Sequence, residues 1–404
     1  MTELDLSAAV ADRGVYYDPY DVEIDNDPYP VWKRMRDEAP LYHNAEHGFY
    51  ALSRWDDVDE ALVDHRTYLS GQGSVLEMIK SDAPIPPGMI LAEDPPLHDL
   101  HRALLSRVFT PKRMAALEPR VRELTVRTLD QFVGEPGFDF VADLGAYIPM
   151  RVIGMLLGIP ESDQEAIRDR SNARHTLRQG EVPRISDMTA SMAEFAEYVD
   201  WRVDHPSDDL MTTLLNVEFR DETGTTRRLN RTEILLYVIL LAGAGNETTR
   251  RLIGWTGQLL ADHPDQRRAI AAGTSTVNQA IEEILRYESP SPVQARVLSR
   301  DVELHGQDVA AGSIVLLLNG SANRDERRFP DADRFDINRD AERHLAFGRG
   351  IHFCMGSSLA RTEGRVVLEE VLKRWTDWEV DYPNAVLDHT STTRGWMRLP
   401  IRTV

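Results

Sequence analysis

The single cysteine in this chain of 404 residues lies in a segment whose residue types suit chemistry at sulfur. Several glycines flank Cys354, and glycine lets the backbone turn tightly and come close to a flat group. A helix is predicted to begin directly after the cysteine, so its free N–H groups, together with His352 and Arg349, would favour the thiolate. From these residues alone, the cysteine can be a ligand of haem iron, a nucleophile or an inert core thiol. An inert thiol explains neither the glycines nor the neighbouring Phe347 and His352.

The segment from Phe347 to Gly356 resembles the haem-binding signature of the cytochrome P450 family, Phe-Gly-x-Gly-x-His/Arg-x-Cys-x-Gly. The resemblance implies haem b (iron protoporphyrin IX) as cofactor and Cys354 as the axial ligand of its iron. It also implies that His352 contacts a haem propionate and that the Phe347 ring packs near the sulfur. A thiolate ligand pushes electron density onto haem iron and favours cleavage of the O–O bond.

A second motif, Ala244-Gly245-Asn246-Glu247-Thr248, lies in the middle of a long predicted helix. A threonine hydroxyl in mid-helix can perturb the local hydrogen-bond ladder, so a kink with a capping threonine is one explanation. The motif also resembles the oxygen-activation segment of the same family. That resemblance implies that Gly245 omits a side chain where dioxygen must fit, and that Glu247 and Thr248 are catalytic proton-handling residues.

Two cationic side chains are predicted to share one helix face, because His98 and Arg102 are four residues apart. Such a pair suits a bound carboxylate, although a solvated helix face is the simpler explanation of the spacing alone. The run from Asp94 to Arg102 resembles the family's Asp-Pro-Pro-x-His-x-x-x-Arg, which implies contact with a haem propionate, and Arg296 matches a further propionate-binding arginine. By resemblance, the cofactor contacts are His98, Arg102, Ala244, Gly245, Arg296, Phe347, Gly348, His352, Cys354 and Gly356.

An acid and a base three residues apart, Glu283 and Arg286, are expected on one face of another helix. An exposed pair of this type would contribute little to stability. The pair resembles the family's Glu-x-x-Arg, which an arginine from a later segment completes, and Arg334 fits that place. The resemblance therefore implies a buried structural triad.

The long helix is predicted to start after Asn230, which forms a capping box with Glu233, and to stop at His263 before Pro264. After Glu283 the pattern changes to short strands, and helix returns after Cys354. The fold class is mainly α with a small β component, and the resemblance implies the cytochrome P450 fold with the long helix over the haem. Because residues 98 to 354 must converge on one cofactor, residues 1–404 are expected to form a single haem domain. Other predicted elements are strands at 49–55, 301–305 and 313–319 and helices at 56–64 and 359–374.

The region from Gly71 to Pro96 is rich in glycine and proline yet carries many apolar residues, as a binding loop or lid does. The alternative is a loop whose apolar residues pack into the core. With two later segments, this loop is expected to line a pocket for an apolar molecule, with a terpenoid, steroid or lipid-like compound favoured. The predicted substrate contacts are Val75, Leu76, Met89, Ile90, Ala244, Val293, Gln294 and Thr393.

Composition limits the partners of the chain. The net charge of −20 argues against nucleic acid. No signal peptide is recognised, and the longest apolar run, 234–245, is shorter than the roughly 20 residues of a membrane span, so a cytoplasmic location is expected. No dinucleotide fingerprint or fused reductase is recognised, so electrons are expected from a separate ferredoxin and its NAD(P)H-dependent reductase. Scattered charge is the alternative to a ferredoxin-binding basic patch formed by Arg107, Lys112, Arg113, Arg343, Arg349 and Arg361.

The function that these motifs imply is that of a haem-thiolate monooxygenase. It would activate dioxygen and hydroxylate or epoxidise an apolar organic substrate. Two alternatives stay open, a peroxygenase that uses hydrogen peroxide and a non-enzymatic haem-thiolate ligand sensor. Glu247 and Thr248 argue against both, since neither function needs an acid–alcohol pair.

Overall fold

The computed structural model describes residues 14–81, 84–161, 163–164, 185–341, 343–390 and 393–403. Helices dominate this part of the chain, as the sequence predicts. They are α1 Val22–Asn26, α2 Tyr29–Glu38, α3 Trp55–Val63, α4 Leu76–Ile79, α5 Leu97–Ser106, α6 Pro111–Asp130, α7 Ile148–Leu157, α8 Ile185–Asp204, α9 Leu210–Asn216, α10 Arg231–Asp262, α11 Pro264–Ala271, α12 Val277–Tyr287, α13 Asn319–Ala322 and α14 Ser357–Leu372.

The β component is small and divided among several sheets. The largest has five strands in the order β1-β2-β10-β7-β3. The strands are β1 Leu41–Asn44, β2 Phe49–Leu52, β3 Tyr68–Leu69, β4 Gly137–Asp139, β5 Glu218–Arg220, β6 Thr226–Arg228, β7 Gln294–Leu298, β8 Val302–Leu304, β9 Gln307–Val309, β10 Ile314–Leu317, β11 Trp378–Val380, β12 Val386–His389, β13 Arg394–Arg398 and β14 Pro400–Thr403. The predicted strands and helices are present, each shorter than or shifted by a few residues from its predicted range.

Helix α10 crosses the interior, and its ends follow from local chemistry. The Asn230 side chain accepts from the Glu233 N–H, and the Glu233 carboxylate accepts from the Asn230 N–H, which forms the predicted capping box. The helix ends at the cap residue His263, and Pro264 starts α11. With 32 residues, α10 is about 48 Å long. It packs against α7, α8 and α14, so its mid-section can present residues to a site inside the fold.

A second apolar stretch, Phe140–Leu157, joins a π-helical segment, Phe140–Gly145, to α7. It is long and apolar enough to cross a membrane by length and composition. However, 72% of this window is buried inside the protein, where it packs against α10. The stretch therefore serves as a core helix of the fold.

The Glu283–Arg286 pair is fully buried, and the prediction for its third member is wrong. Two nitrogens of Arg286 each donate to a Glu283 oxygen at 2.7 Å. Arg334 instead has a side chain 69% exposed and pairs with Asp336 on the surface. The arginine that reaches Glu283 is Arg339, whose Nε lies 3.3 Å from Oε1 and whose side chain is 11% exposed. Arg334 contributes only its backbone oxygen, which accepts from Arg286 at 3.4 Å.

Candidate active site

A cavity of about 490 Å³ lies between α10, strand β7, the hairpin β12–β13 and the cysteine segment. Most of the residues predicted at a site face this one space. Those that line it are Val75, Ile90, Arg102, Ala244, Gly245, Glu247, Thr248, Val293, Gln294, Arg296, Phe347, His352, Cys354, Gly356 and Thr393. These residues come from distant segments of the chain, and the fold brings them to one cavity.

The cysteine segment is a tight loop that ends at the start of α14. The Cys354 N–H donates to the Phe347 carbonyl at 2.9 Å, which closes the loop. Gly348 and Gly350 both have positive φ angles, near +65° and +66°, which side-chain-bearing residues rarely adopt. A Cβ on Gly350 would also lie 2.5 Å from the Leu62 carbonyl oxygen in α3. These two glycines therefore serve the loop and its packing, and neither lines the cavity.

The electrostatic surroundings of Cys354 differ from the expectation. Burial raises the pKa of the thiol, while the N–H groups of Gly356 and Ser357 and the charges of Arg102 and Arg361 lower it. The predicted contribution of His352 is absent, because burial and the neighbouring positive charges lower its pKa to about 3 and leave the ring neutral.

Arg349, the second cation expected to act on the sulfur, points elsewhere. Its Nη1 pairs with Asp59 of α3 at 3.0 Å, away from the cavity. Arg102 takes its place, since it lines the cavity and its Nη2 donates to the Phe353 carbonyl at 2.6 Å. The sequence signal for Arg102 is its position four residues after His98, on the same face of α5.

His98, His352 and Arg296 form a group of basic side chains at the cavity or next to it. His98 does not line the cavity, but its ring lies 4.5 Å from that of His352, centroid to centroid. Nε2 of each ring is buried without a hydrogen-bond partner in the described part of the chain. Arg296 is 3% exposed, and burial lowers its pKa to about 10. Its guanidinium donates to Ala295 O at 2.7 Å and Gln294 Oε1 at 2.9 Å, and no ion pair with a carboxylate is present among the described residues.

This group fits the carboxylates of a haem. Two imidazole nitrogens lacking partners and a buried cation without a carboxylate would each be costly in a protein that bound nothing. Bound propionates would satisfy all three. The Cys354 thiol and Gly356 line the same cavity. The donor set, one thiol and several basic groups, therefore suits this cofactor.

The acid–alcohol pair of α10 faces the cavity, but its two members make separate contacts. Thr248 Oγ1 donates to the Ala244 carbonyl at 2.8 Å, one turn earlier. Glu247 Oε1 accepts from Thr393 Oγ1 at 2.9 Å. The structure gives Gly245 a packing role, because a Cβ there would lie 2.5 Å from the Ile153 Cδ1 of α7. Gly245 also lines the cavity, so its predicted role of leaving room for dioxygen stays a prediction.

Two predicted substrate contacts are not at the cavity. Leu76 is 4% exposed in α4 and packs in a core cluster that includes Trp32 and Phe49. Met89 precedes the short 3-10 helix Ile90–Ala92 and does not line the cavity, whereas the next residue, Ile90, does. The loop therefore has features of both alternatives, a binding loop and a loop packed into the core, because some of its apolar residues line the cavity and others lie in the core.

Sequence reasoning missed several apolar residues of the wall. Ile239 and Leu240 lie in the apolar first half of α10, about one turn before the motif that starts at Ala244. That spacing could have predicted them as wall residues. The others carry no signal in the sequence that separates them from ordinary core residues. The missed residues are Phe109, Ile153, Ile239, Leu240, Leu241, Leu252, Leu285, Pro290, Ala346, Met355, Leu359 and Ala360.

The expected basic patch is partly neutralised. Arg361 pairs with Glu282 at 2.6 Å, and Arg113 lies 3.5 Å from Asp208. Arg107, Lys112 and Arg343 are exposed. The patch as a ferredoxin-binding surface stays a prediction.

Known proteins resemble this chain over nearly its full length. A family description, cytochrome P450, matches residues 182–401. Cytochrome P450 123 of Mycobacterium tuberculosis is 38% identical over 403 residues, which cover 98% of this chain and 99% of that protein. The vitamin D(3) 25-hydroxylase of Pseudonocardia autotrophica is 35% identical over 384 residues, 93% of each chain.

Solved structures agree with the sequence relatives. Cytochrome P450 CYP109Q5 from Chondromyces apiculatus superposes with a TM-score of 0.85 at 34% identity, over 97% of this chain and 99% of that one. CYP109E1 from Bacillus megaterium, in complex with corticosterone, gives a TM-score of 0.81 at 30% identity, over 94% and 99%. With the cysteine loop, the cavity and these relatives in agreement, the chain belongs to the cytochrome P450 family and is a haem-dependent monooxygenase.

Proposed function

We propose that this chain hydroxylates or epoxidises an apolar organic substrate of terpenoid, steroid or lipid-like type. The observation that carries the proposal is the cavity, which contains the only cysteine of the chain, Cys354, and is walled mainly by aliphatic side chains. A monooxygenase acting on a small charged molecule would need a paired charge in that wall. Of the charged residues that line the cavity, Arg102 donates to the cysteine loop and Glu247 accepts from Thr393 beside the hairpin.

Haem b is the proposed cofactor, with the Cys354 thiolate as the iron ligand. His98, His352 and Arg296 would hold the propionates, because the two imidazole nitrogens lack partners and the guanidinium has only neutral acceptors. When bound, the haem supplies the redox chemistry that activates dioxygen and transfers one oxygen atom to the substrate. We also propose that residues 1–404 act as one haem domain and that the protein works in the cytoplasm.

The residues of the chain then have separate tasks. The aliphatic wall binds the substrate, orients it and excludes water from the site. Thr248 would donate its hydroxyl proton into the cavity, which first requires that Oγ1 release the Ala244 carbonyl, and would take a proton in its place. Glu247 would supply protons to that hydroxyl from the solvent side, since its side chain is 22% exposed. Proton transfer by a positioned group is worth about 10²–10⁴-fold.

The substrate class has support from relatives. A vitamin D(3) hydroxylase is among the sequence relatives, and a structural neighbour was solved with corticosterone. Both compounds are largely apolar, which agrees with a wall of aliphatic side chains. The electron donor is proposed to be a ferredoxin with an NAD(P)H-dependent reductase.

The direct test is oxygen transfer under two conditions. Purified holoenzyme with a ferredoxin, its reductase and NAD(P)H should convert a ligand found by Soret-shift screening, and the product should carry one atom from ¹⁸O₂. Corticosterone is a suitable first compound for the screen. Product formation with hydrogen peroxide alone, and none with the ferredoxin system, would instead identify a peroxygenase. Ligand binding without oxidation under either condition would favour the sensor.

Thr248→Ala should uncouple this reaction. Without the hydroxyl, reduced oxygen should leave as hydrogen peroxide. NAD(P)H consumption should therefore continue while product formation falls by about 10²-fold or more. The measurement is product formed per NAD(P)H consumed, with peroxide quantified in the same samples. Thr256→Val, which removes another hydroxyl of α10 that donates to the Leu252 carbonyl, is the control. Wild-type coupling in Thr248→Ala would show that another group handles this proton.

A further inference from the structure

The Glu247 carboxylate is turned toward the C-terminal hairpin β12–β13. Its Oε1 accepts from Thr393 Oγ1 at 2.9 Å and lies 3.3 Å from Arg251 Nη2. Thr248, its neighbour in the proposed proton path, donates to its own helix. The direction of the acid is therefore set by the hairpin and by the next turn of α10.

Arg251 is itself fixed by the hairpin. Its side chain is 1% exposed, and Nη2 pairs with Oδ2 of Asp388 in β12. Nη1 donates to the Trp396 carbonyl of β13 at 2.9 Å. A Cβ on Gly395 would lie 2.8 Å from Arg251 Cδ, so the hairpin closes directly on this arginine. One guanidinium is thus shared between two carboxylates, one on the helix and one on the hairpin.

Thr393 is the second contact, and its hydroxyl has a single proton to donate. In the structure that proton is directed at Glu247. The Thr393 backbone is held by Thr390, whose Oγ1 accepts from the Thr393 N–H at 3.0 Å and donates to the Thr393 carbonyl at 2.7 Å. Thr393 also lines the cavity, so it lies between the space for a ligand and the acid.

We propose that Thr393 and the Asp388–Arg251 pair are positioning residues that set the orientation of the Glu247 carboxylate. The proposal rests on the proposed function, in which Glu247 supplies protons. Two contacts converge on one carboxylate oxygen, and both are anchored in the hairpin that also borders the ligand space. A structural cross-link between α10 and the hairpin would need only the contacts that Arg251 makes with Asp388 and the backbone. The Thr393 hydroxyl also accepts from Arg251 Nε at 3.4 Å, so the two contacts on the acid belong to one network, in which the hydrogen bond from Thr393 fixes the direction of the Glu247 carboxylate.

The first arm of the test is structural and does not depend on turnover. Thr393→Val keeps the shape of the side chain but removes its proton, and Thr393→Ser restores the hydroxyl. Crystal structures of the holoprotein should show the Glu247 carboxylate displaced from the hairpin in the valine variant and retained in the serine variant. Asp388→Asn tests the contact from Arg251, since it weakens the hold on Arg251 without removing the Asp388 side chain. Thr256→Val is the matched control in the same helix.

The second arm measures NAD(P)H oxidation by the ferredoxin-reduced holoenzyme without substrate, which needs protons but no identified ligand. The rate should fall about 10- to 100-fold in Thr393→Val, because a donor misplaced by 1 Å can cost that much. Thr393→Ser should recover it, and imidazole affinity from a Soret titration should match wild type in both variants. A wild-type rate in Thr393→Val overturns the proposal, whether or not the carboxylate moves. If the wild-type enzyme itself is inactive, the proposed function is contradicted. In that case the crystal structures decide the positioning role, and an unmoved Glu247 carboxylate in the valine variant overturns it.

Discussion

Two buried polar clusters in this molecule have opposite hydrogen-bonding states. Around Glu283 and Arg286, every strong donor has a protein acceptor, since Arg286 bonds to both Glu283 oxygens and to the carbonyls of Asn323 and Ala332. In the second cluster, His98 and His352 have nitrogens without partners, and Arg296 is buried beside neutral acceptors only.

This difference distinguishes a cluster that stabilises the fold from a cluster that binds a ligand. A buried polar group is expensive to leave unpaired, so a cluster that is complete without any ligand has a structural role. A cluster left incomplete by the protein is a place where another molecule completes it. Both clusters resemble family motifs in the sequence, yet only the geometry shows which one needs the cofactor to be satisfied.

The largest effect is expected from Arg286→Ala. It leaves the fully buried Glu283 carboxylate with only the Asp336 N–H and Arg339 as donors. Loss of one partner of a buried pair typically costs about 3–5 kcal/mol in the free energy of unfolding. Urea unfolding of the holoprotein, followed by far-UV circular dichroism and by the Soret band, measures it. An unchanged unfolding midpoint with full haem content would remove the contrast between the clusters.

Arg296→Gln should have the opposite effect, weakening haem binding without destabilising the haem-free protein. Because a charge-assisted hydrogen bond is worth about 1.5–3 kcal/mol, haem should be held roughly 10- to 100-fold less tightly. The haem-free protein should be at least as stable as wild type, since the substitution removes a buried cation that lacks a carboxylate. Haem transfer to an excess of apomyoglobin measures the first effect and urea unfolding of the apoprotein the second.

The matched control for Arg296 is Arg300→Gln, because Arg300 is exposed just beyond β7 and contacts Thr67 instead of the cavity. Haem retention at the wild-type level in Arg296→Gln would mean that the unpaired cation is not a cofactor contact.

The smallest effects on stability are expected from substitutions of two arginines in one segment, Arg339 and Arg334. Arg339→Ala should lower the free energy of unfolding by about 1–3 kcal/mol, because this residue bonds to Glu283 and to the carbonyls of Asp331 and Arg334. Arg334→Ala should change it by no more than about 0.5 kcal/mol, since its side chain is mostly exposed. Equal effects of the two variants, measured by urea unfolding, would contradict the assignment of Arg339 to the cluster.

Sequence was sufficient where the signal is local. The capping box at Asn230 and the Gly-rich loop before α14 depend on residues a few positions apart, so their spacing predicts them. The choice between Arg334 and Arg339 depends on how an irregular segment folds back on α12, which spacing does not determine. The same holds for Leu76 against Val75, since adjacent residues in a loop can face the core and the cavity. Gly245 is a third case, because its contact with Ile153 of α7 cannot be read from the spacing of its motif.

The central claim is that Cys354 ligates the haem iron in a site completed by the cofactor. The carbon-monoxide difference spectrum of the reduced protein tests it most directly, with wild type and Cys354→Ser compared at equal haem content. Wild type should show the strongly red-shifted Soret band of a thiolate-ligated haem, and Cys354→Ser should lose it. The same red-shifted band in both proteins would contradict the account, because the sulfur in this cavity would then not be the ligand.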